Sequence, residues 1–281
     1  MINIKHTARK SLLSAIVVLL AASPLCALAE ETKDGGGDLR AAVQNPIGSL
    51  VSLPFKFDFD YGAANGDGTI LNIQPVYPVT KGKWNYVSRL ILPVASVDGA
   101  ISTPQNPNPS GLDSASGLGD INYSLYLSPV ESSDVIWGVG PSLMIPTASD
   151  DQLGSGKWSA GVAVVALNQP GWGTMGILGR QLWSFAGDDK RSDVNQSLIE
   201  PFANYNLDKG WYLITDIIIT ANWEAPSSQT WTVPLGGGVG RVHKIGKQAV
   251  NNRVEFYYNV EKPDSAPDWS WSFTFGFLFP K

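Results

Sequence analysis

Lys56, Asp58 and Asp60 occupy alternate positions of the run PFKFDFDYG (54–62), interleaved with Phe55, Phe57, Phe59 and Tyr61. Successive side chains of an extended strand point to opposite faces, so the spacing separates a charged face from an aromatic one. Charges set close together on one strand can line a watery path and tune what passes. They can equally brace a narrow interior as ion pairs. A dry core suits neither role, because an unpaired buried ion costs several kcal/mol. Alternation elsewhere puts Arg89, Arg180, Glu200, Asp216, Arg253 and Glu255 on the same kind of face, which makes four basic and five acidic groups in all. That near balance predicts no strong preference for one ion sign. Tyr126, Phe202, Tyr212 and Tyr257 share the inward positions and would offer aromatic contact to a solute.

Catalysis finds weaker candidates. A hydrolase acting on membrane lipid needs a serine, a histidine base and a group that orients the base. His243 is the one histidine beyond the N-terminal segment, and it sits beside the turn KIGK (244–247), at the wrong end of its strand for outer-leaflet lipid. No enzyme is expected. PLGGGVGRV (234–242) lacks the Lys-Ser/Thr ending and the following helix of a phosphate loop. Asp150–Asp151 and Asp188–Asp189 with Asp193 are oxygen-rich, yet match no calcium-loop spacing and are interrupted by Lys190 and Arg191. They are expected to be solvated loop charge. Neither a metal nor a cofactor is expected.

The elements that would position these groups begin after an export signal. Lys5, Arg9 and Lys10 precede the apolar stretch SLLSAIVVLLAA (11–22), and small residues at 27–29 offer a cleavage site before Glu30. The apolar stretch is shorter than the roughly 18 residues that a spanning helix needs. Loss of residues 1–29 would move the formal charge from −5 to about −8 and remove the single cysteine, Cys26. An acidic chain without thiols excludes disulfide chemistry and makes a poor nucleic-acid binder. Residues 30–45 are expected to form a flexible leader or plug with one or two helical turns at 38–44. No later apolar run is long enough for a spanning helix, so a membrane form must be a closed β-barrel.

Period-2 segments then recur near 50–61, 69–79, 84–94, 117–128, 134–146, 157–168, 171–185, 194–207, 210–223, 229–243, 247–260 and 268–279. Each approaches the roughly 9–11 residues of a tilted membrane strand. The last, WSWSFTFGFLFPK (269–281), puts Trp269, Trp271, Phe273, Phe275, Phe277 and Phe279 on one face, with small polar residues opposite. Connections alternate between compact turns, such as TKGK (80–83) and DKG (208–210), and longer loops, such as 96–116 and 147–156. Barrels of the bacterial outer membrane alternate short periplasmic turns with longer extracellular loops in this way. Trp84, Trp158, Trp172, Trp211, Trp223, Trp231 and Trp269 gather near strand ends, where interfacial girdles lie. The expected fold is all-β: a single closed antiparallel transmembrane β-barrel of about 12 strands over residues 46–281, in the outer membrane of a Gram-negative bacterium.

SGLGDINYSLYLSP (116–129), WGVGPSLMIPTASDDQLGSGKW (137–158), PFANYNLDKGWYL (201–213), WTVPLGGGVGRVHKIGKQAVN (231–251) and the ending FLFPK resemble a bacterial outer-membrane transporter family. That family is named for the meta-pathway of phenol degradation and is often mislabelled neuromedin U. The resemblance implies an outer-membrane barrel that passes small molecules, aromatic ones among them. Its partners would be outer-membrane lipid, a small-molecule solute and the barrel-insertion machinery. One departure is that Phe279 is followed by Pro280 and Lys281, which displaces the terminal aromatic of the usual insertion signal. The competing expectation is a structural or adhesion barrel with a blocked lumen.

Overall fold

The computed structural model describes residues 36–111, 113–132 and 134–280. The expected signal segment lies outside them. A helix, α1 (Gly36–Gln44), precedes the strands β1 (Val51–Ala63), β2 (Gly66–Ile73), β3 (Val76–Lys81), β4 (Trp84–Val97) and β5 (Ala115–Leu118). The chain continues through β6 (Ile121–Pro129), β7 (Ile136–Ile145), β8 (Lys157–Asn168), β9 (Gly173–Gly187) and β10 (Asn195–Asn206). It finishes with β11 (Trp211–Asp216), β12 (Ile219–Asn222), β13 (Trp231–Ile245), β14 (Gln248–Glu261) and β15 (Trp269–Phe279).

The strands form one antiparallel sheet that closes on itself, giving a barrel of 12 staves. Three staves are interrupted. β2 and β3 make one, broken at Gln74–Pro75, where proline has no N–H to give the ladder. β5 and β6 make another, and β11 and β12 a third. Closure joins the first strand to the last, from Val51 opposite Phe279 to Tyr61 opposite Trp269. That register sets ring against ring: Phe59 stacks on Trp271 at 4.2 Å and Tyr61 on Trp269 at 4.5 Å between centroids. Such pairs contribute about 0.5–1.5 kcal/mol each beyond their burial. The expected segments and the observed staves agree within a few residues at each end.

The outer surface is apolar around the wall. Val162, Val164, Ile177, Leu213, Leu235, Val254, Phe256 and Val260 are all exposed, far more contiguous apolar surface than a soluble monomer leaves open. Aromatic residues bound this band at both ends. Trp84 packs on Trp137 and Trp172 on Tyr205 at the end with short turns, while Trp223 packs on Trp231 at the end with long loops. Trp211 and Trp223 on one stave are separated by about 40 Å of strand, or roughly 30 Å along the axis at a 40° tilt. A membrane barrel carries an apolar band about 25 Å tall between its girdles.

The inner face is polar and internally bonded. Ser124 and Ser142 hydroxyls lie 2.8 Å apart, and Asn122 Nδ2 donates to the Leu143 carbonyl at 2.9 Å. At the loop end, the Asp120 carboxylate is fully buried and breaks the β5/β6 stave. It accepts from the Ala148 N–H at 3.1 Å, the Ser155 N–H at 2.7 Å and the Ser155 hydroxyl at 2.9 Å, pinning the 146–156 connection over the rim. Asp120→Ala strands these donors, so it is expected to cost about 1–3 kcal/mol and to expose residues 146–156 to protease. Urea unfolding in lipid vesicles and limited proteolysis measure the two effects.

Both ends of the lumen are covered. Residues 98–111 cross the loop end. Asn108 Nδ2 donates to the Asp193 carbonyl at 2.8 Å, and Asn108 Oδ1 accepts from Asn222 Nδ2 at 2.7 Å. The Ser102 N–H reaches the Ser265 carbonyl at 3.0 Å, and Asn106 Nδ2 the Gln152 carbonyl at 3.0 Å. The strap is thus tied to loops around the rim. Hydrogen bonds from Lys157 and Ser184 hold the neighbouring Asp193 carboxyl below the usual carboxylate range. At the turn end α1 sits in the mouth. Its Leu39, Ala42 and Val43 pack on Leu50, Tyr212, Ile214, Val242, Ala249 and Leu278 of the inner wall.

Candidate functional site

A barrel of 12 strands spaced about 4.8 Å apart and tilted near 40° has a backbone diameter of about 24 Å. Side chains of about 5 Å from each wall leave roughly 12–14 Å, so one helix of 10–12 Å suffices to fill the bore. α1 has that size and is bonded in place. Arg40 donates to the carbonyls of Leu207, at 2.6 Å, and Trp211, at 3.1 Å. Gln44 donates to Asn206 Oδ1 at 3.0 Å and accepts from the Thr174 hydroxyl at 2.9 Å, and Gln169 donates to the Ala41 carbonyl at 2.7 Å. Beyond the helix, Ile47 is buried against Val87, Tyr126, Ala163, Leu167 and Phe202, so the chain enters the lumen before it turns into β1.

Between α1 and the 98–111 strap lie two chambers. The lower one, about 150 Å³, is bounded by α1, Leu50, Phe202, Tyr212, Ile214 and Leu278. The upper one, about 220 Å³, is lined by Lys56, Asp58, Asp60, Tyr126 and Arg180, by Tyr257, and by an apolar set that includes Ile70, Ile91, Leu178, Leu198 and Ile218. Arg89, Glu200, Asp216 and Arg253 line both and form a charged waist between them. Every residue singled out as inward from the alternation therefore borders one of these spaces, except Glu255. That carboxylate is buried beside the waist, where Oε1 accepts from the Tyr257 hydroxyl at 3.1 Å.

The charges of the upper chamber and the waist are partly neutralised. Lys56 pairs with Asp58 at 2.9 Å, and Asn72 Nδ2 donates to the other Asp58 oxygen at 3.0 Å. Arg253 stands 3.4 Å from Glu255 and 3.9 Å from Asp216. The Glu255 contact is Coulombic rather than a hydrogen bond, since Arg253 Nε and Glu255 Oε2 both lack a hydrogen-bonding partner. Arg253 and Tyr257 belong to β14, yet meet Asp216 of β11 across the intervening β13. Gly236 and Gly238 of β13 leave room for Tyr257 and Glu255 on the way. A Cβ at Gly238 would meet Glu255 Cγ at 2.8 Å, and one at Gly236 would meet Tyr257 Cδ1 at 2.8 Å. Between the β11–β13 and β12–β13 pairings, residues 215–219 face 233–237 without a ladder. Tyr257 Oη takes the place of a ladder acceptor there and receives the Asp216 N–H at 2.9 Å.

The remaining sequence candidates are not assembled into chemistry. His243 Nδ1 is buried without a hydrogen-bond partner. Asp151 pairs with Arg191 at 3.5 Å and Asp193 with Lys157 at 3.2 Å, which makes the acidic loops part of rim ion pairs. Among the described residues, no group of three or more His, Cys, Asp or Glu side chains could hold a metal. The inner amides Asn122 and Gln196, which contact Arg180, were not singled out from the sequence, because their partnership follows from the register between distant strands.

No family model matches the sequence, and no curated protein matches it. Among solved structures the chain is similar to an outer membrane channel from Pseudomonas putida F1, with a TM-score of 0.58 and 15% identity, over 82% of this chain and 96% of that one. More distant are the CymD monoaromatic hydrocarbon channel, with a TM-score of 0.45 and 8% identity over 91% and 95% of the two chains, and the Pseudomonas putida toluene transporter TodX, with a TM-score of 0.38 and 9% identity over 89% and 93%. At such identities the first likeness is one of fold: this chain is a closed antiparallel β-barrel of the outer-membrane type.

Proposed function

We propose that the chain is an outer-membrane channel or facilitator for small molecules, aromatic and hydrophobic ones in particular, rather than an enzyme. Export would remove residues 1–29, and the barrel-insertion machinery would seat the barrel with its short turns toward the periplasm, the loop-end strap outside. The observation that carries the reading is the upper chamber, where the aliphatic side chains Ile70, Ile91, Leu178, Leu198 and Ile218 line the space together with charged and polar groups, several of them on the same strands. A ligand pocket is typically apolar with a few placed polar groups. A pore for salts or sugars would be open and wet instead. The fold neighbour described as an outer membrane channel fits the same reading.

A second reading is a barrel kept shut by α1 that serves to display its loops, and the helix in the mouth favours it. Uptake of phenolic and alkane probes by cells with and without the chain separates the two. The channel reading expects faster accumulation when the chain is present, and equal accumulation rejects it.

A further inference from the structure

Arg180 lies inward on β9 and is 7% exposed, facing the upper chamber. Its Nη1 donates to Asn122 Oδ1 at 2.9 Å, while Nη2 makes only long contacts to the Pro104 carbonyl at 3.4 Å and to Gln196 Oε1 at 3.5 Å. Its Nε is buried with no acceptor at all. Among the described residues every partner of this guanidinium is a neutral amide or carbonyl, and no carboxylate pairs with it. Lys56 and Arg253, in the same chamber, each have a carboxylate partner. A buried cation whose charge is left uncompensated is costly, and a buried donor without an acceptor adds to that cost. Both deficits vanish if an anion enters the chamber.

We infer that the upper chamber binds a small aromatic monocarboxylate, its carboxylate on Arg180 and its ring against Leu178, Leu198 and Ile91. The inference rests on the lumen being the solute path. Three observations set the class. The fork of a guanidinium matches a carboxylate, so Nε and an Nη can engage its two oxygens. The chamber of about 220 Å³ exceeds the roughly 150 Å³ that accommodates benzene, which leaves room for one ring with one small head group. The guanidinium has one open edge, at Nε and Nη2, which a single carboxylate fills.

Calorimetric titration of the purified full barrel in detergent, with benzoate, benzyl alcohol and benzylamine as probes of similar body, tests this. Benzoate is expected to bind tightest. Arg180→Gln should weaken benzoate by about tenfold or more, as loss of a charge-assisted pair implies, while leaving benzyl alcohol nearly unchanged, which also shows that the variant's chamber is intact. Equal binding of the three probes, binding of none, or benzoate affinity indifferent to Arg180→Gln overturns the assignment, and the channel reading survives each of these. Benzoate binding without any chain-dependent uptake of phenolic probes would instead remove the channel reading and leave the anion site standing.

Discussion

Deleting residues 36–45 should raise single-channel conductance in planar bilayers by about threefold or more, because a plug roughly 10 Å across leaves a bore only slightly wider than itself. The helix is held by side chains that reach the wall rather than by the strand ladder. Arg40 on Leu207 and Trp211, and Gln44 between Asn206 and Thr174, are its main polar ties. β1 begins at Val51 and closes on β15 without help from α1, so the shortened chain should still form the barrel. Unchanged conductance in a correctly folded deletion would mean that the narrowest point lies elsewhere, at the waist or the strap. A barrel silent in both forms would favour the display reading.

Val254→Arg should destabilise the barrel by about 2–4 kcal/mol, the cost of a cation at the lipid midplane, whereas Val260→Arg on the same strand should cost about 0–1 kcal/mol near the interface. Both side chains are half-exposed on the outer face of β14, at 49% and 54%, so their surroundings within the protein differ little. What differs is depth. Val254 lies mid-strand opposite Phe273 and Val239, and Val260 lies beside the loop end. Urea unfolding of both variants in lipid vesicles gives the two costs. Equal costs would show that something other than hydrocarbon touches the apolar band.

The barrel itself was legible because its physics is local. A strand between lipid and water must alternate, and the runs around 54–62, 122–128 and 252–261 do so without a misplaced charge. The breaks at Pro75 and Asp120 were less visible: a proline is compatible with an edge or a bend, and only the fold reveals that Asp120 turns inward to collect three donors. The helix carried a signal in Leu39, Ala42 and Val43, spaced to share one helical face, yet its neighbours are small and polar and nothing local says where that face docks. The 98–111 strap has no periodicity at all, since its position depends on side-chain bonds to loops that are distant in the chain. Inward charges were identifiable one by one from parity. Their pairing was not, because it follows from cross-barrel register. Asp216 meets the β14 residues Arg253 and Tyr257 across β13, whose Gly236 and Gly238 leave room for Tyr257 and Glu255. Arg180 likewise stands out only in the fold, which sets the amides Asn122 and Gln196 rather than a carboxylate against its guanidinium.

The most direct test of the lumen as the route is uptake of a phenolic probe by cells bearing Leu198→Trp at the same surface level as the unaltered chain. Leu198 is buried on the inner face and borders the upper chamber, so an indole there fills much of the space while the wall, the strap and α1 stay in place. Uptake should fall to that of cells lacking the chain. Undiminished uptake with the chamber filled would contradict the account.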